Sequence, residues 1–175
     1  NILVIQTAFI GDAILASGVL EKLHGHFPDS SISILVRHGN EEIYSGHPYL
    51  KEVLVWNKKA NKFRNLLSLL RTIRKKKYDC VVNCHRYFSS GILSGFSGAR
   101  HVAGFKENPL SFLFNSTARH RIGDGAHETE RYQRLISDFT DGEAALPRLY
   151  PTRADKEIIR QFTGSEFVCM APASV

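Results

Sequence analysis

The sequence predicts an α/β protein built on a doubly wound parallel sheet. Short, uninterrupted runs of apolar residues, many of them β-branched, are typical of strands that are buried on both faces of a sheet. These runs alternate with amphipathic helical stretches, and parallel strands need crossover connections of that kind. With 175 residues and a hydrophobic content of 43%, the chain is long enough to bury one good core.

The first strand, turn and helix are the clearest unit in the chain. Residues 2–5 (ILVI) form the strand, and apolar residues recur every four positions from Leu15 to Leu23 on one helical face. Residues 6–14 (QTAFIGDAI) lie between the two and contain Asp12. In an open α/β sheet such a turn lies at the carboxyl end of the strand, where ligands bind.

Asp12 has two interpretations at this stage. It can be a helix cap that accepts amide hydrogen bonds and is favoured by the helix dipole. It can also be a carboxylate placed at a ligand site for chemistry. The residues alone leave both open.

The remaining strands and helices follow from the same two patterns. Apolar runs predict further strands at residues 31–36, 53–56, 79–83 and 101–105. Helical patterns are present at residues 41–44, 63–73, 127–139 and 154–162. A short helix rich in Ser and Gly follows the fourth strand. The best helix has a predicted apolar stripe made of Phe63, Leu66, Leu67, Leu70 and Ile73.

Two loops and the end of the chain complete the organisation. Residues 84–90 form a polar and aromatic loop after the fourth strand, and residues 106–126 are predicted to be a long loop with a helical turn at 110–114. Residues 147–151 are predicted to be an extended connector. We expect one domain over residues 1–153. Residues 154–175 are then an interdomain helix and the first strand of a second domain, with that strand at 167–171 and a turn at 172–174.

Charge and composition restrict the partners. The formal net charge is +6, and five basic residues crowd the end of one helix: Arg71, Arg74, Lys75, Lys76 and Lys77. A phosphorylated substrate, an anionic membrane surface and nucleic acid are the candidate partners, although basic residues at a helix C-terminus also match its dipole. Three cysteines and the lack of a long apolar run predict a reducing, cytoplasmic location without a signal peptide or membrane span.

Several motifs are absent or incomplete. The chain contains neither GxGxxG nor GxxxxGK[ST], and residues 94–98 match a nucleophile elbow only loosely. His127-Glu128 lacks the second histidine of a metalloprotease motif. Cys80 and Cys84 are better interpreted as core thiols than as zinc ligands. No nucleic-acid-binding motif accompanies the basic helix, so we expect no nucleic-acid partner.

Six segments, taken in order, resemble the ADP-heptose:lipopolysaccharide heptosyltransferases, glycosyltransferase family 9. They are residues 2–15 (ILVIQTAFIGDAIL), 47–53 (HPYLKEV), 78–82 (YDCVV), 98–105 (GARHVAGF), 127–135 (HETERYQRL) and 167–174 (FVCMAPAS). The first five resemble the N-terminal half of that family, and the last resembles the opening of its C-terminal half. The resemblance implies a GT-B fold, in which two Rossmann-like domains face each other across a cleft.

The resemblance also implies a reaction and its residues. It implies an inverting transfer of heptose, or a similar sugar, from an ADP-sugar donor to a lipopolysaccharide core acceptor, with no cofactor and no metal. Asp12 matches the general base, and Thr7, Ala8 and Gly11 match the turn that lines the cleft. Further candidates for acceptor binding are Arg86, Ser89, Ser90 and His127.

The segment after the fourth strand departs from the family, because many members have Asp-Leu-Gln-Gly where this chain has residues 83–90 (NCHRYFSS). On the resemblance as a whole, the leading hypothesis is that the chain is the acceptor-side part of such an enzyme. This enzyme would act at the cytoplasmic face of the inner membrane, and the chain would be inactive without the donor domain. The alternative is a non-catalytic Rossmann-like module that binds an anionic ligand.

Overall fold

The computed structural model describes residues 1–58 and 62–162, together with the single residues 164, 166, 168 and 170. Its centre is a six-stranded sheet in which every pair of neighbouring strands is parallel. The strands are β1 Ile2–Gln6, β2 Ile32–Arg37, β3 Leu50–Trp56, β4 Cys80–Asn83, β5 His101–Phe105 and β6 Ser116–Ala118. Their order is β3-β2-β1-β4-β5-β6. The predicted doubly wound α/β class is confirmed.

The described residues also form five α-helices and three 3-10 helices. The α-helices are α1 Ile10–His26, α2 Lys62–Lys76, α3 Phe88–Gly95, α4 Glu128–Gln133 and α5 Arg153–Ile159. The 3-10 helices are Glu41–Tyr44, Ser111–Leu113 and Arg160–Phe162. None of these helices is both long and apolar enough to cross a bilayer.

The sheet separates two apolar cores. Because side chains alternate along a strand, β1 contributes Val4 to the core beneath α1 and α4, and Leu3 and Ile5 to the core beneath α2 and α3. All three side chains are fully buried. The continuous apolar run at the start of the sequence therefore reflects a central strand that is covered on both faces.

The structure corrects the predictions for two segments, and it also extends the strand predicted at 53–56 to Leu50–Trp56. The loop predicted at residues 106–126 contains β6, a three-residue strand that pairs with Ala103–Phe105 of β5. Ser-Thr-Ala has no apolar alternation, so no local pattern could indicate it. The helix predicted over residues 127–139 ends at Gln133 and continues as turns, although Leu135 and Ile136 are buried as a helical face would require.

The apolar stripe predicted on α2 is only partly buried. Leu66 and Ile73 pack against the sheet, with Leu70 half-buried beside them. Phe63 and Leu67 are instead 80% and 52% exposed. The sheet covers a narrower arc of the helix than the periodicity suggests, and Leu69 lies on that arc.

The connector to α5 crosses the outer surface of α1. Backbone N–H of Arg148 donates to Ser17 Oγ at 2.9 Å, and the Tyr150 hydroxyl donates to the Glu21 carboxylate at 2.9 Å. Gly18 lies beneath this connector, where a β-carbon would be 2.6 Å from the carbonyl oxygen of Ala145. The absence of a side chain at this position therefore permits the close approach of two backbones.

We expect Gly18→Ala to lower the free energy of unfolding by about 1–3 kcal/mol, because the methyl group would force helix and connector apart. Gly25→Ala is the matched control, since it lies in the same helix and a β-carbon there meets nothing within 4 Å. The control is expected to raise that free energy by up to about 1 kcal/mol. Urea denaturation of both variants measures the difference, and equal effects would contradict the proposed contact.

The elements predicted for a second domain are only partly within the described residues. α5 and the 3-10 helix after it cover the predicted helix at 154–162, and Ile158, Ile159 and Phe162 are exposed. The strand predicted at 167–171 and the turn at 172–174 lie outside the described residues, apart from two isolated positions. The division at residue 153 stays a prediction.

Candidate functional site

A cavity of about 740 Å³ lies at the carboxyl ends of the central strands. It opens between β1 and β4, where the strand order reverses direction, and this is the position at which open α/β sheets bind ligands. The loop after β1 and the loop after β4 form two of its walls, and α4 contributes a third. Its size is within the range of small-molecule sites.

Asp12 lines this cavity from the first turn of α1. The helix begins at Ile10, and its N-cap is Phe9, which makes no side-chain capping bond. Asp12 is therefore the third residue of the helix rather than its cap, and the N-capping interpretation is wrong. The Asp12 carboxylate is half-buried and accepts a hydrogen bond from the Tyr132 hydroxyl at 3.4 Å. The N-terminal end of the helix dipole favours a negative charge at this position.

Tyr132 is held in place by Gln6. The buried Gln6 side chain donates from Nε2 to the Tyr132 hydroxyl oxygen at 2.8 Å, and its Oε1 accepts from the backbone N–H of Ala8 at 3.1 Å. Since the hydroxyl oxygen of Tyr132 accepts from Gln6, its single proton is free to point at Asp12. Burial, with the nearby negative charges, raises the pKa of Tyr132, so the phenol keeps that proton.

A second cluster joins the ends of three strands. Lys58 Nζ donates to the carbonyl oxygen of Thr7 at 2.7 Å and to its hydroxyl oxygen at 3.1 Å. The same hydroxyl lies 3.1 Å from Nδ1 of His85. Because a lysine ammonium can only donate, the Thr7 hydroxyl proton is free to point at Nδ1 of His85, an arrangement that requires the imidazole proton to be on Nε2. Burial, with Lys58 and Arg86 nearby, lowers the pKa of His85 to about 4, so the ring is neutral at pH 7.

Basic side chains dominate the cavity wall at the carboxyl ends of β2, β3 and β4. They are Arg37, Lys58 and Arg86, in that order. Arg37 stacks on the ring of Phe9 at 5.1 Å, and Arg86 forms no hydrogen bond or ion pair with any residue in the described ranges. Guanidinium groups bind carboxylates and phosphates through two parallel hydrogen bonds. This wall is therefore suited to an anionic group on a ligand.

A second carboxylate, Glu128, lines the cavity but is already paired. It accepts from Arg131 at 3.0 Å and lies 2.8 Å from His120 Nε2, while Arg131 also binds Asp124 at 2.7 Å. Burial raises the pKa of Glu128, but the bonds from His120 and Arg131 outweigh it and the net shift is downward. Compared with Asp12, Glu128 is the poorer candidate for accepting a proton from a ligand.

The structure brings together most, but not all, of the residues predicted from the sequence. Those that line the cavity are Thr7, Ala8, Asp12, Arg86 and Ser89. Gly11 is exposed beside it, and a β-carbon there would meet nothing within 4 Å, so the chain itself does not require glycine at this position.

Ser90 and His127 were expected to face the cleft, and their expected placement was wrong. Ser90 is fully buried and its hydroxyl donates to the backbone carbonyls of His85 and Tyr87 at 3.0 and 2.8 Å, which holds the turn before α3. His127 is exposed and caps α4 by accepting from the backbone N–H of Thr129 at 3.3 Å. Four residues that line the cavity were not predicted from the sequence: Gln6, Lys58, Glu128 and Tyr132.

The interpretation of the two described cysteines as core thiols is confirmed. Cys84 belongs to the core beneath α1, and Cys80 packs against it; neither forms a disulfide. Burial raises the pKa of the Cys80 thiol to about 11. Within residues 1–58 and 62–162, no cluster of three His, Cys, Asp or Glu side chains is arranged to hold a metal ion.

Comparison with known proteins gives consistent matches. The family model described as glycosyltransferase family 9 (heptosyltransferase) matches residues 66–172. A lipopolysaccharide heptosyltransferase 3 from Escherichia coli is 31% identical over 96 residues, which are 53% of this chain and 28% of that protein.

Two solved structures share the fold. The glycosyl transferase family 9 protein from Veillonella parvula superposes with a TM-score of 0.81 at 21% identity, over 94% of this chain and 50% of its own. The ADP-heptose LPS heptosyltransferase II of E. coli superposes with a TM-score of 0.70 at 21% identity, over 94% and 51%. This chain thus spans about half the length of either solved structure.

Proposed function

Because this chain belongs to glycosyltransferase family 9, the heptosyltransferase family, we propose that it is the acceptor-side part of an inverting glycosyltransferase of GT-B fold. The proposed reaction transfers heptose, or a similar sugar, from ADP-heptose to a lipopolysaccharide core acceptor. The family match begins at residue 66, so it does not include Asp12. The observation that carries the mechanism is the placement of the Asp12 carboxylate in the cavity between β1 and β4.

In the proposed reaction Asp12 acts as the general base. It takes the proton from an acceptor hydroxyl while the hydroxyl oxygen forms a bond to the anomeric carbon of the donor sugar. The bond from that carbon to the diphosphate oxygen breaks on the opposite face, and its electron pair leaves with ADP. An aspartate is a weak base at neutral pH, so its contribution depends on being positioned on the attacking hydroxyl.

Tyr132 and Gln6 are the proposed positioning residues for this base. The hydrogen bond from Tyr132 fixes one carboxylate oxygen of Asp12, and the other oxygen is left for the acceptor. Gln6 sets the direction of the Tyr132 hydroxyl from the buried end of β1. Neither residue touches the reacting atoms in this proposal.

Tyr132→Phe tests this positioning role. We expect kcat for sugar transfer to fall about tenfold, because a more mobile carboxylate spends less time in the productive geometry. The acceptor KM should change little, since the ring that packs beneath α1 is kept. Steady-state kinetics separate the two constants, and a raised acceptor KM with unchanged kcat would contradict the proposal.

Arg86, Arg37 and Ser89 are proposed to bind anionic and hydroxyl groups of the acceptor. The two guanidinium groups and the Ser89 side chain line the same cavity as Asp12. Tyr87 and Phe88 are exposed at its edge and present apolar ring surface, which sugars can pack against. A phosphate or carboxylate on the lipopolysaccharide core would fit this combination.

We propose that the donor binds mainly to the part of a GT-B enzyme that lies beyond these residues. The protein would act in the cytoplasm, at the periphery of the inner membrane. The direct test is transfer from ADP-heptose to heptose-deficient lipopolysaccharide by the protein from the full reading frame. Transfer supports the proposal, and its absence with a folded protein overturns it.

A further inference from the structure

The outward face of α2 exposes apolar side chains that a helix normally buries. Phe63 and Leu67 lie four residues apart, so they are neighbours on one face, beside the buried Leu66 and Ile73 at the edge of the arc that the sheet covers. Phe63 also lines the cavity, as does the exposed Phe88 of α3. Large apolar side chains exposed together on one helical face are typical of an interaction site.

The same face carries positive charge without negative charge. α2 contains no Asp or Glu, and Arg64, Arg71, Arg74 and Lys75 are exposed on it. Lys76, by contrast, is neutralised by Glu52 at 2.8 Å. Within the described part of the chain, Arg64, Arg71 and Lys75 form no ion pair. The neighbouring helix α3 has no charged residue at all.

We propose that this face of α2 docks on an anionic lipid bilayer. A helix with basic and apolar side chains on one side lies in the interface plane, with the apolar groups at the boundary of the acyl chains. Arginine and lysine are attracted to the negative surface potential, and guanidinium groups bind lipid phosphates well. The face is the convex outer side of a helix, so a plane of headgroups complements it without a matching groove.

The inference deepens the proposed function, on which its biological meaning depends. Phe63 belongs both to the docking face and to the lining of the cavity. Docking through α2 therefore holds the cavity, and Asp12 within it, beside the membrane. That is where the sugar of a lipid-linked acceptor would be presented.

Vesicle flotation with the protein from the full reading frame tests the docking face. The vesicles are phosphatidylcholine alone, or phosphatidylcholine with roughly a third phosphatidylglycerol. We expect binding to the anionic vesicles only, and weaker binding at high salt. The triple variant Arg64→Gln, Arg71→Gln, Lys75→Gln should lower the partition coefficient by about 100-fold. Leu67→Gln, which keeps the charge, should lower it several-fold.

A matched triple variant controls for net charge. Arg119→Gln, Arg121→Gln and Arg153→Gln remove the same number of exposed cations elsewhere, and this variant should keep its binding. Equal losses in both triple variants, equal binding to neutral vesicles, or no vesicle binding would each overturn the inference. The assay contains neither donor nor acceptor, so its result is independent of sugar transfer. Transfer activity without vesicle binding would contradict only the proposed membrane docking. Vesicle binding without transfer would contradict only the proposed function.

Discussion

Asp12→Asn in the protein from the full reading frame is expected to lower the rate of sugar transfer by about 100-fold, or about 2.7 kcal/mol of barrier. Asn has nearly the same shape as Asp, and its side-chain oxygen can still accept the bond from Tyr132. It cannot take the proton of the acceptor hydroxyl at neutral pH. The loss should therefore appear in kcat, while the acceptor KM changes little.

Glu128→Gln is the informative companion to Asp12→Asn. Both residues line the same cavity, but Glu128 is paired with His120 and Arg131, so we expect its replacement to affect transfer less. A large loss in Glu128→Gln together with an active Asp12→Asn would show that Glu128, and not Asp12, is the general base. Unchanged transfer in both variants would leave Asp12 a structural role, and no transfer by the parent would favour a non-catalytic binding module.

Much of the fold could be predicted from the sequence, because the strongest elements have local signals. The run at residues 2–5 is continuous and apolar, and a strand buried on two faces requires that pattern. β6 has only three small or polar residues, and it exists because β5 offers an unpaired edge. That cause is tertiary, so a reading along the chain could not find it.

The candidate site was predictable where it depends on the ends of strands. Asp12 and Arg86 follow β1 and β4, and the strand order places these two ends side by side. Tyr132 comes from α4, more than a hundred positions along the chain from Asp12, and no local pattern connects them. Ser90 was misplaced because its hydroxyl turns inward to satisfy buried carbonyls, a choice that depends on the geometry of one turn.

The exposed half of the α2 stripe shows the limit of periodicity in another way. Spacing indicates which residues share a helical face, but it does not measure how wide an arc the sheet covers. Phe63 fits the pattern and is nonetheless the most exposed of the stripe residues. An apolar residue that fits a helical pattern is therefore not sufficient evidence for a core position.

The 175-residue chain by itself is expected to transfer no sugar from ADP-heptose. Leaving-group departure requires groups that stabilise the developing charge on the diphosphate, and we place those groups beyond this chain. The acceptor side should nevertheless work as a binding unit, because Asp12, Arg37 and Arg86 of this chain line one cavity. Transfer by the isolated chain would contradict the division of roles between the two halves.

Calorimetric titration of the isolated chain with a phosphorylated core oligosaccharide measures its affinity for the acceptor. Arg86→Gln should weaken binding by about 10-fold or more, since a charge-assisted bond contributes about 1.5–3 kcal/mol. Arg119→Gln removes an exposed cation outside the cavity and should leave the affinity unchanged. Unchanged binding in Arg86→Gln would show that the acceptor does not bind at the loop after β4, even if Asp12 proved to be the base.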